Sequence, residues 1–267
     1  MTAPAAPTPE ELLELAAAAA GAAAALLAPR SGQAAVTATK TSPTDLVTAD
    51  DTAAERLIRA TIAGVRPTDA FTGEELGDSP GEDDGERGGA ARVRWVVDPI
   101  DGTVNYFYGL PTWSVSVAAE VDGTVVAGVV EAPLLRRRYT ALRGGGSWCN
   151  GVPLVASSVS DLAHALLATG FSYEADRRAE QAAALARLLP SVRDVRRLGS
   201  AALDLCLLGA GEVDCYYERG PKEYDRAAGM LVASEAGATV GVDDDLTWGA
   251  AAPLAEQFVA ALRAAGG

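Results

Sequence analysis

Histidine, cysteine and positive charge are scarce in this chain of 267 residues, which has one histidine and three cysteines. The single histidine, His164, excludes the two-histidine zinc motifs. Its apolar neighbours predict that it packs in the interior. The cysteines have no paired spacing typical of metal ligands, so we expect reduced thiols in a cytoplasmic protein. They are Cys149, Cys206 and Cys215.

Lysine and arginine total 22 against 36 aspartates and glutamates, which gives a formal net charge of −14. An excess of negative charge of this size argues against a nucleic-acid-binding surface. It does not exclude an anionic substrate, because a bound metal ion reverses the local field. The composition therefore leaves a metal-assisted site open and makes nucleic acid an unexpected partner.

Apolar runs of transmembrane length and sufficient hydropathy are not expected in this chain, so no membrane partner is predicted. The alanine-rich residues 10–30 come nearest, but no positive charge precedes them and glutamates interrupt their start, unlike a signal peptide. They predict a helix instead. Thr8 would cap it, Pro9 would take the first helical position, and Glu11 would close a capping box.

The most informative stretch is an apolar strand that ends in Asp98 and Asp101. A buried strand that delivers acidic side chains at its carboxyl end is a common way to build a site. We predict a tight turn, stiffened by Pro99, that lets both carboxylates face one point. They repel each other unless a cation lies between them, and hard oxygen ligands suit magnesium. A helix that starts at Gly102 or Thr103 would present free N–H groups to a phosphate.

Four further acidic residues each allow a structural and a functional interpretation. Asp51 would be the third residue of a helix that Thr48 caps. It is either a helix-start carboxylate favoured by the helix dipole or a carboxylate near a metal ion. Glu74 is either a solvated glutamate or a ligand. Asp225 is an N-cap, a ligand or both. Glu218 is either a surface residue at a strand end or an acceptor for substrate hydroxyls.

The pattern of elements predicts one α+β domain over residues 1–267. Residues 1–155 predict helices followed by a mostly antiparallel sheet with a hairpin turn at Asp122-Gly123. Residues 156–267 alternate helices and short strands, which suggests a sheet covered on both faces. The acidic run at residues 77–90 predicts a mobile loop before the central strand.

Residues 98–106, Asp-Pro-Ile-Asp-Gly-Thr-Val-Asn-Tyr, resemble the signature of the inositol monophosphatase family of magnesium-dependent, lithium-sensitive phosphatases. Three further segments resemble other motifs of the family. Together with residues 98–106, they occur along the chain in the order that the family has. They are a lysine-containing loop at 40–51, a Gly-Glu-Glu motif at 73–75 and a second signature at 224–229.

The resemblance runs from about residue 40 to the last predicted helix, and within it residues 192–207 are most similar to bacterial inositol-1-monophosphatases of the actinobacterial type. Tyr106 and Tyr224 stand where the family commonly has phenylalanine and tryptophan, and both exchanges keep an aromatic packing role. The resemblance implies a layered α/β/α/β/α sandwich of the inositol monophosphatase/fructose-1,6-bisphosphatase type. It also implies a homodimer with two or three magnesium ions per site.

The resemblance further implies a role for each site residue. The donors to a first magnesium ion would be Glu74, Asp98 and the Ile100 carbonyl. The donors to a second would be Asp98, Asp101 and Asp225, and Glu74 would share a third. The catalytic residues would be Glu74, Asp51 and Thr103, of which Asp51 and Thr103 would help orient the attacking water. The phosphate would bind to Gly102 and Thr103. The implied polyol contacts are Asp101, Gly199, Ser200, Ala201, Glu218 and Asp225.

The implied function is hydrolysis of a phosphate monoester by metal-activated water, with a small phosphorylated polyol as the partner. Myo-inositol 1-phosphate is the leading substrate; fructose 1,6-bisphosphate and histidinol phosphate follow, because relatives share the metal ligands. The spacing of Asp98 and Asp101 differs from the two-residue spacing that a haloacid dehalogenase-type phosphatase needs. The alternative from another class is a regulatory or scaffolding protein that keeps the fold. The presence of all the acidic ligands favours activity.

Overall fold

The computed structural model describes residues 7–39, 46–81 and 92–266. Its helices are α1 (Pro9–Leu27), α2 (Ala49–Ala63), α3 (Thr103–Tyr108), α4 (Ala175–Leu188), α5 (Ala201–Gly209), α6 (Glu223–Glu235) and α7 (Ala255–Ala265). Its strands are β1 (Val36–Thr39), β2 (Leu46–Thr48), β3 (Ala70–Gly73), β4 (Gly77–Ser79), β5 (Val93–Asp101), β6 (Ser114–Val121), β7 (Thr124–Ala132), β8 (Arg137–Leu142), β9 (Gly146–Cys149), β10 (Val152–Pro153), β11 (Leu166–Thr169), β12 (Asp194–Arg196), β13 (Cys215–Arg219), β14 (Ala238–Asp243) and β15 (Leu246–Ala251).

Two large sheets carry the fold, beside a small pairing of β1 with β2. The first sheet has eight strands in the order β10-β9-β8-β7-β6-β5-β3-β4, and its pairs are antiparallel except β3 with β5. The second has five strands in the order β12-β11-β13-β15-β14. Strand β11 runs parallel to β12 and β13, whereas β15 is antiparallel to both of its neighbours.

Three hydrophobic cores separate the layers. Helices α1 and α2 pack on one face of the eight-stranded sheet, around Trp95. Helices α5 and α6 lie between its other face and the five-stranded sheet, around Val96 and Tyr216. Helices α4 and α7 cover the outer face of the second sheet, around Phe258. Adjacent residues of a strand point to opposite faces, so Trp95 and Val96 belong to different cores. The fold is the predicted α/β/α/β/α sandwich.

Helix α1 is a core helix with a strongly apolar composition. The predicted capping box of Thr8 with Glu11 is present. Contrary to the expectation from the sequence, residues Pro9–Arg30 meet the length and hydropathy of a membrane span. Core helices pass the same test, and this one buries a face in the core that it shares with the eight-stranded sheet. The buried residues of α1 are Leu12, Ala16, Ala19, Ala20, Ala23, Ala24 and Leu27.

Several sequence predictions need correction. His164 does not pack in the interior: it ends a short 3-10 turn, and its side chain is 66% exposed near Asp161. The start of the acidic run at 77–90 is strand β4, which pairs with β3. Residues 82–90 and residues 40–45 of the lysine-containing loop lie outside the described part of the chain. Strand β15 was not predicted, because its glycine and small residues give no clear apolar alternation.

Replacing Ala20 with leucine should destabilise the protein. Ala20 is fully buried in the core between α1 and the sheet, and overfilling a packed core costs about 1–3 kcal/mol. Ala18 lies on the same helix but is exposed, so Ala18→Leu is the matched control and should change stability by less than about 0.5 kcal/mol. Urea unfolding followed by circular dichroism measures both variants. Equal stabilities would contradict the packing of α1 on the sheet.

Candidate active site

A β-bulge in β5 turns the two carboxylates of the acidic motif to one face of the sheet. Asp98 pairs with Ser116 and Asp101 with Ser114, so three steps along β5 match two along β6. In a regular strand, residues three apart point to opposite faces, and the extra residue corrects this. The predicted tight turn is therefore wrong: β5 continues to Asp101. Pro99, which has no N–H to pair, lies in the bulge.

Asp225 reaches the same point from α6. It is the third residue of that helix and not its N-cap, because α6 begins two residues earlier than predicted. Its carboxylate accepts a hydrogen bond from the backbone N–H of Lys222, in a capping box. One carboxylate oxygen each of Asp98, Asp101 and Asp225 lies within 4.8 Å of the other two. We call these three residues the carboxylate cluster.

Burial and mutual repulsion disfavour the ionised cluster when no cation is present. Asp98 is 1% exposed and Asp101 is 7% exposed. Burial, followed by the charges of Glu74, Asp101 and Asp225, raises the pKa of Asp98 well above its usual range. Burial and the charges of Asp101 and Glu74 do the same to the pKa of Asp225. Ionisation of either Asp98 or Asp225 is therefore unfavourable while no cation lies between them.

Asp101 also binds the start of α5. Its carboxylate accepts hydrogen bonds from the Ser200 hydroxyl at 2.6 Å and from the backbone N–H groups of Ala202 at 2.7 Å and Ala201 at 3.2 Å. Burial raises the pKa of Asp101, and these hydrogen bonds limit the rise to about 6 because they favour the charged form. These hydrogen bonds attach the end of β5 to the start of α5, where the predicted polyol contacts at residues 199–201 lie.

Ser200 does not reach the cleft that opens at the cluster. Its hydroxyl is buried, donates to Asp101 and lies 3.1 Å from the Ser114 hydroxyl. Gly199 and Ala201, its neighbours in the prediction, do line the cleft. The structure thus gives Ser200 a role in fixing Asp101, because the N-cap position of α5 directs its side chain back along the helix start.

Asp51 and Thr103 form a carboxylate–hydroxyl pair beside the cluster. Asp51 is fully buried at the third position of α2 and accepts hydrogen bonds from the N–H and hydroxyl of Thr48 at 2.8 and 2.6 Å. The Thr103 hydroxyl lies 3.4 Å from Asp51 and 3.0 Å from the Ile100 carbonyl. Burial raises the pKa of Asp51 to about 6, although the bonds from Thr48 lower it. Asp51 is therefore mostly ionised at neutral pH.

Glu74 lines the same cleft as the cluster. It follows β3, and the loop that carries it is held by Glu55 of α2, a residue the sequence did not single out. The Glu55 carboxylate accepts hydrogen bonds from the backbone N–H groups of Glu75 at 2.7 Å and Leu76 at 3.3 Å. Glu74 is thereby kept close enough to β5 for its charge to raise the pKa of Asp98.

Glu218, on β13, lines the cleft, which has a volume of about 280 Å³. Its carboxylate accepts a hydrogen bond from the Tyr216 hydroxyl at 3.2 Å. Burial and the charge of Asp101 raise the pKa of Glu218 to about 7. Gly170 makes room for this carboxylate, because a Cβ there would lie 2.0 Å from the Glu218 side chain. Glu218 is thus a half-buried group of the cleft and not a surface glutamate.

Asn105 and Gly102 join the acidic motif to the segment before α5. The Asn105 amide donates to the carbonyls of Thr112 at 2.6 Å and Leu198 at 2.7 Å. Gly102 has a φ of +93°, and a Cβ there would lie 2.9 Å from the Gly199 carbonyl oxygen, so only glycine fits. Asn105 belongs to the resembled signature, but its bridging role depends on a contact with a residue 93 positions away.

The donors at the cleft suit a hard divalent cation. The cluster offers only carboxylate oxygens. Glu74 and Ile100 also line the cleft, and the Ile100 carbonyl is a predicted ligand. In the described part of the chain no histidine or cysteine joins the cluster. Oxygen donors of this kind are those of magnesium and not of zinc or copper. A cation would also remove the repulsion that raises the pKa values of Asp98 and Asp225.

Comparison with known proteins agrees with this fold. The inositol monophosphatase family model matches residues 8–261. An inositol-1-monophosphatase of Mycobacterium leprae is 52% identical over 205 residues, which cover 75% of this chain and 69% of that protein. A Nus factor SuhB of Pasteurella multocida is 41% identical over 200 residues, or 74% of this chain and 72% of that protein.

Among solved structures, Mycobacterium tuberculosis SuhB superimposes with a TM-score of 0.83 at 42% identity, covering 97% of this chain and 98% of that one. The match of fold, sequence and family model is thus continuous along the chain. This protein belongs to the inositol monophosphatase family, a family of phosphatases.

Replacing Asp98 with asparagine should stabilise the metal-free protein at neutral pH, because it removes one acid whose ionisation is disfavoured by burial and by the neighbouring carboxylates. Acids whose pKa is raised by folding contribute stability at low pH that is lost as the pH rises through the folded value. With Asp51 and Asp101 near 6, this loss falls between about pH 4 and 7. Thermal unfolding in EDTA at neutral pH should show Asp98→Asn a few degrees above the wild type.

The same experiment in magnesium separates ligation from general charge effects. Magnesium should raise the unfolding temperature of the wild type and much less that of Asp98→Asn. The exposed Glu180 on α4 provides a control, since Glu180→Gln removes a negative charge far from the cluster. An equal magnesium effect in wild type and Asp98→Asn would contradict a cation site at the cluster.

Proposed function

We propose that this protein hydrolyses a phosphate monoester, first of all myo-inositol 1-phosphate, with magnesium as its cofactor. The observation that carries the proposal is the buried carboxylate cluster at a cleft that Glu218 lines from the other sheet. The name of the Mycobacterium leprae relative supports it. The cysteine usage adds a cytoplasmic location to the proposal, and the resemblance adds a homodimer.

The acidic residues divide between two ion positions in this proposal. Asp98, Asp101 and Asp225 would hold one magnesium ion, and Glu74, Asp98 and the Ile100 carbonyl would hold another. Magnesium, when bound, supplies water activation and neutralises charge on the phosphate and the leaving oxygen. Asp98 would contribute to both positions, so its position in the bulge of β5 matters most.

The groups beside the cluster orient the water and the phosphate in this proposal. The Thr103 hydroxyl has one proton, which it shares between Asp51 and the Ile100 carbonyl. Its oxygen lone pairs then remain available to accept a hydrogen bond from a water molecule that enters the cleft. The ionised Asp51 keeps this hydroxyl oriented. The backbone N–H groups of Gly102 and Thr103 hold phosphate oxygens.

Fructose 1,6-bisphosphate is the second candidate substrate, because the cleft carries several positive groups. Arg177, Arg197, Arg219 and Lys222 line it. Arg177 and Arg219 both pair with Asp245. Arg197 forms no ion pair with any described residue, and its charge lowers the pKa of Glu218. A second phosphate on the substrate would find a cation there that a monophosphate does not use.

A regulatory role is the candidate from a different class, and the observation that favours it is the name Nus factor SuhB of a relative with 41% identity. Such a role would not need the carboxylate cluster to hold ions. The cluster is complete in this chain, and its burial is costly when no cation is present. The cluster is present despite the free-energy cost of burying its carboxylates, and this supports catalysis as the primary function.

The proposal is tested by phosphate release from a panel of esters in magnesium and in EDTA. The panel contains myo-inositol 1-phosphate, fructose 1,6-bisphosphate, histidinol phosphate and 2-glycerophosphate. We expect magnesium-dependent turnover, fastest with myo-inositol 1-phosphate, inhibition by millimolar lithium, and a loss of orders of magnitude in Asp98→Asn. Glu180→Gln should keep full activity. Absence of magnesium-dependent hydrolysis of every ester would contradict the proposal and favour the regulatory role.

Glu218→Gln should weaken the use of myo-inositol 1-phosphate about tenfold, or roughly 1.4 kcal/mol, because a ring hydroxyl loses its charged acceptor. Hydrolysis of 2-glycerophosphate, which reaches fewer contacts, should fall less. The measurement is kcat/KM for both esters at saturating magnesium. Glu174, an exposed residue that also lines the cleft, provides the control Glu174→Gln.

Equal losses on the two esters would place Glu218 in the metal site or the fold instead of the alcohol-binding wall. Gly170→Ala offers an independent check. The added methyl group occupies the space of the Glu218 carboxylate, so it should reproduce the selective loss without changing any charge.

A further inference from the structure

We propose that Arg94 is a positioning residue that assembles the metal site, because it lies on the strand of Asp98 and contacts both β3, which leads to Glu74, and α6, which carries Asp225. The inference rests on the proposed function in taking the carboxylate cluster as a magnesium site. It concerns residues outside that cluster: Arg94, Glu223, Glu120 and Thr72.

Arg94 lies on β5 four residues before Asp98, on the same face of the strand. Side chains two apart share a face, so Arg94, Val96 and Asp98 all point towards the layer of α6. Val96 confirms the direction, since it belongs to the core that includes α6. On β6, Glu120 pairs with Arg94 and Ser116 pairs with Asp98.

The Arg94 guanidinium is fully engaged by its neighbours. It donates to the two carboxylate oxygens of Glu223 at 2.8 and 2.6 Å, and to those of Glu120 at 3.1 and 2.5 Å. It also donates to the Thr72 hydroxyl at 3.0 Å. A planar fork that binds two carboxylates in this way fixes their direction as well as their distance, which a lysine cannot do.

Two of the three partners of Arg94 lie close in sequence to an acidic residue of the site. Thr72 is on β3, two residues before Glu74, and Glu223 is on α6, two residues before Asp225. Between Glu223 and Asp225, the Tyr224 carbonyl accepts a hydrogen bond from Ser116 at 3.3 Å. The first turn of α6, which carries Asp225, is therefore attached to β5 and β6.

The contacts of Arg94 with Glu223 and Thr72 oppose the electrostatic repulsion among the acidic residues of the site. The negative charges of Glu74, Asp101 and Asp225 all act on Asp98, so the metal-free cluster tends to push α6 away from β5. Arg94 attracts Glu223 at the same junction. Its side chain is 29% exposed and that of Glu223 is 40% exposed, and such half-exposed pairs add little to global stability. We therefore expect the contact to set the geometry of the site more than the stability of the fold.

The test is magnesium binding by isothermal titration calorimetry in Arg94→Lys and Glu223→Gln. Both variants keep side chains of similar size, and both positions are partly exposed, so folding is expected to be retained. Magnesium affinity should fall about tenfold, the lower end of the cost of removing support around a metal site. The magnesium concentration for half-maximal activity should rise by a similar factor. At saturating magnesium, kcat should stay within about twofold of wild type, because the ions restore the geometry.

The Arg137–Glu212 pair is the matched control. Arg137 Nη1 lies 2.6 Å from Glu212 Oε1, and the two side chains are 34% and 46% exposed, respectively. Neither residue lines the cleft. Glu212→Gln should leave magnesium affinity unchanged. The double variant Arg94→Lys/Glu223→Gln should lose little more affinity than either single variant, because both changes break the same contact.

The outcomes separate this inference from the proposed function. Unchanged magnesium affinity in both Arg94→Lys and Glu223→Gln would overturn it, whatever happens to their unfolding temperatures. A loss of affinity of the same size in Glu212→Gln would overturn it too, since the effect would then belong to any ion pair. If the wild type binds magnesium but hydrolyses no ester, the proposed function fails while calorimetry still decides the role of Arg94. A wild type that binds no magnesium would overturn both.

Discussion

Repulsion among buried carboxylates is the constraint on which the rest of the structure depends. Burying even one unpaired charge costs several kcal/mol, and this fold brings together the oxygens of Asp98, Asp101 and Asp225 within 4.8 Å. Each of the three is fixed by hydrogen bonds from the backbone: Asp98 from Ile100, Asp101 from the start of α5, and Asp225 from Lys222. These bonds set the positions of the carboxylates but do not cancel their charges.

The parts of the fold near the cleft resist that repulsion by attaching neighbouring elements to β5. Asn105 joins α3 to the segment before α5, Glu55 holds the loop of Glu74, and Arg94 holds the start of α6. Without these attachments the elements that carry Glu74 and Asp225 would be held less firmly against β5, which is itself fixed between β6 and β3. The cation that the donors suit would complete the same task, and its binding would then be linked to local folding.

The layered arrangement explains how one cleft serves two purposes. The eight-stranded sheet supplies Asp98 and Asp101, and the middle helices α5 and α6 bring their amino-terminal ends to the same place. The five-stranded sheet supplies Glu218. In the proposed function the first sheet and the helices hold the phosphate chemistry, while the second sheet selects the alcohol. Changes in β13 would then alter substrate choice without disturbing the cluster.

The sequence by itself determined the features that depend on nearby residues. The capping boxes at Thr8 and Thr48, the hairpin turn at Asp122-Gly123, the helix start after Gly102 and the acidic motif all rest on interactions within a few positions. The family resemblance added the layered fold, because the order of its motifs carries long-range information that local patterns lack.

Only the tertiary structure decided the features that depend on distant partners. The bulge between Asp98 and Asp101 exists because β5 must keep its register with β6, and no local pattern specifies that register. Ser200 turns from the cleft to a carboxylate 99 positions away, and Arg94 pairs with Glu223 across 129 positions. Such contacts combine residues whose individual preferences are weak, so their partners are set by the packing of whole layers and not by the residues beside them in the chain.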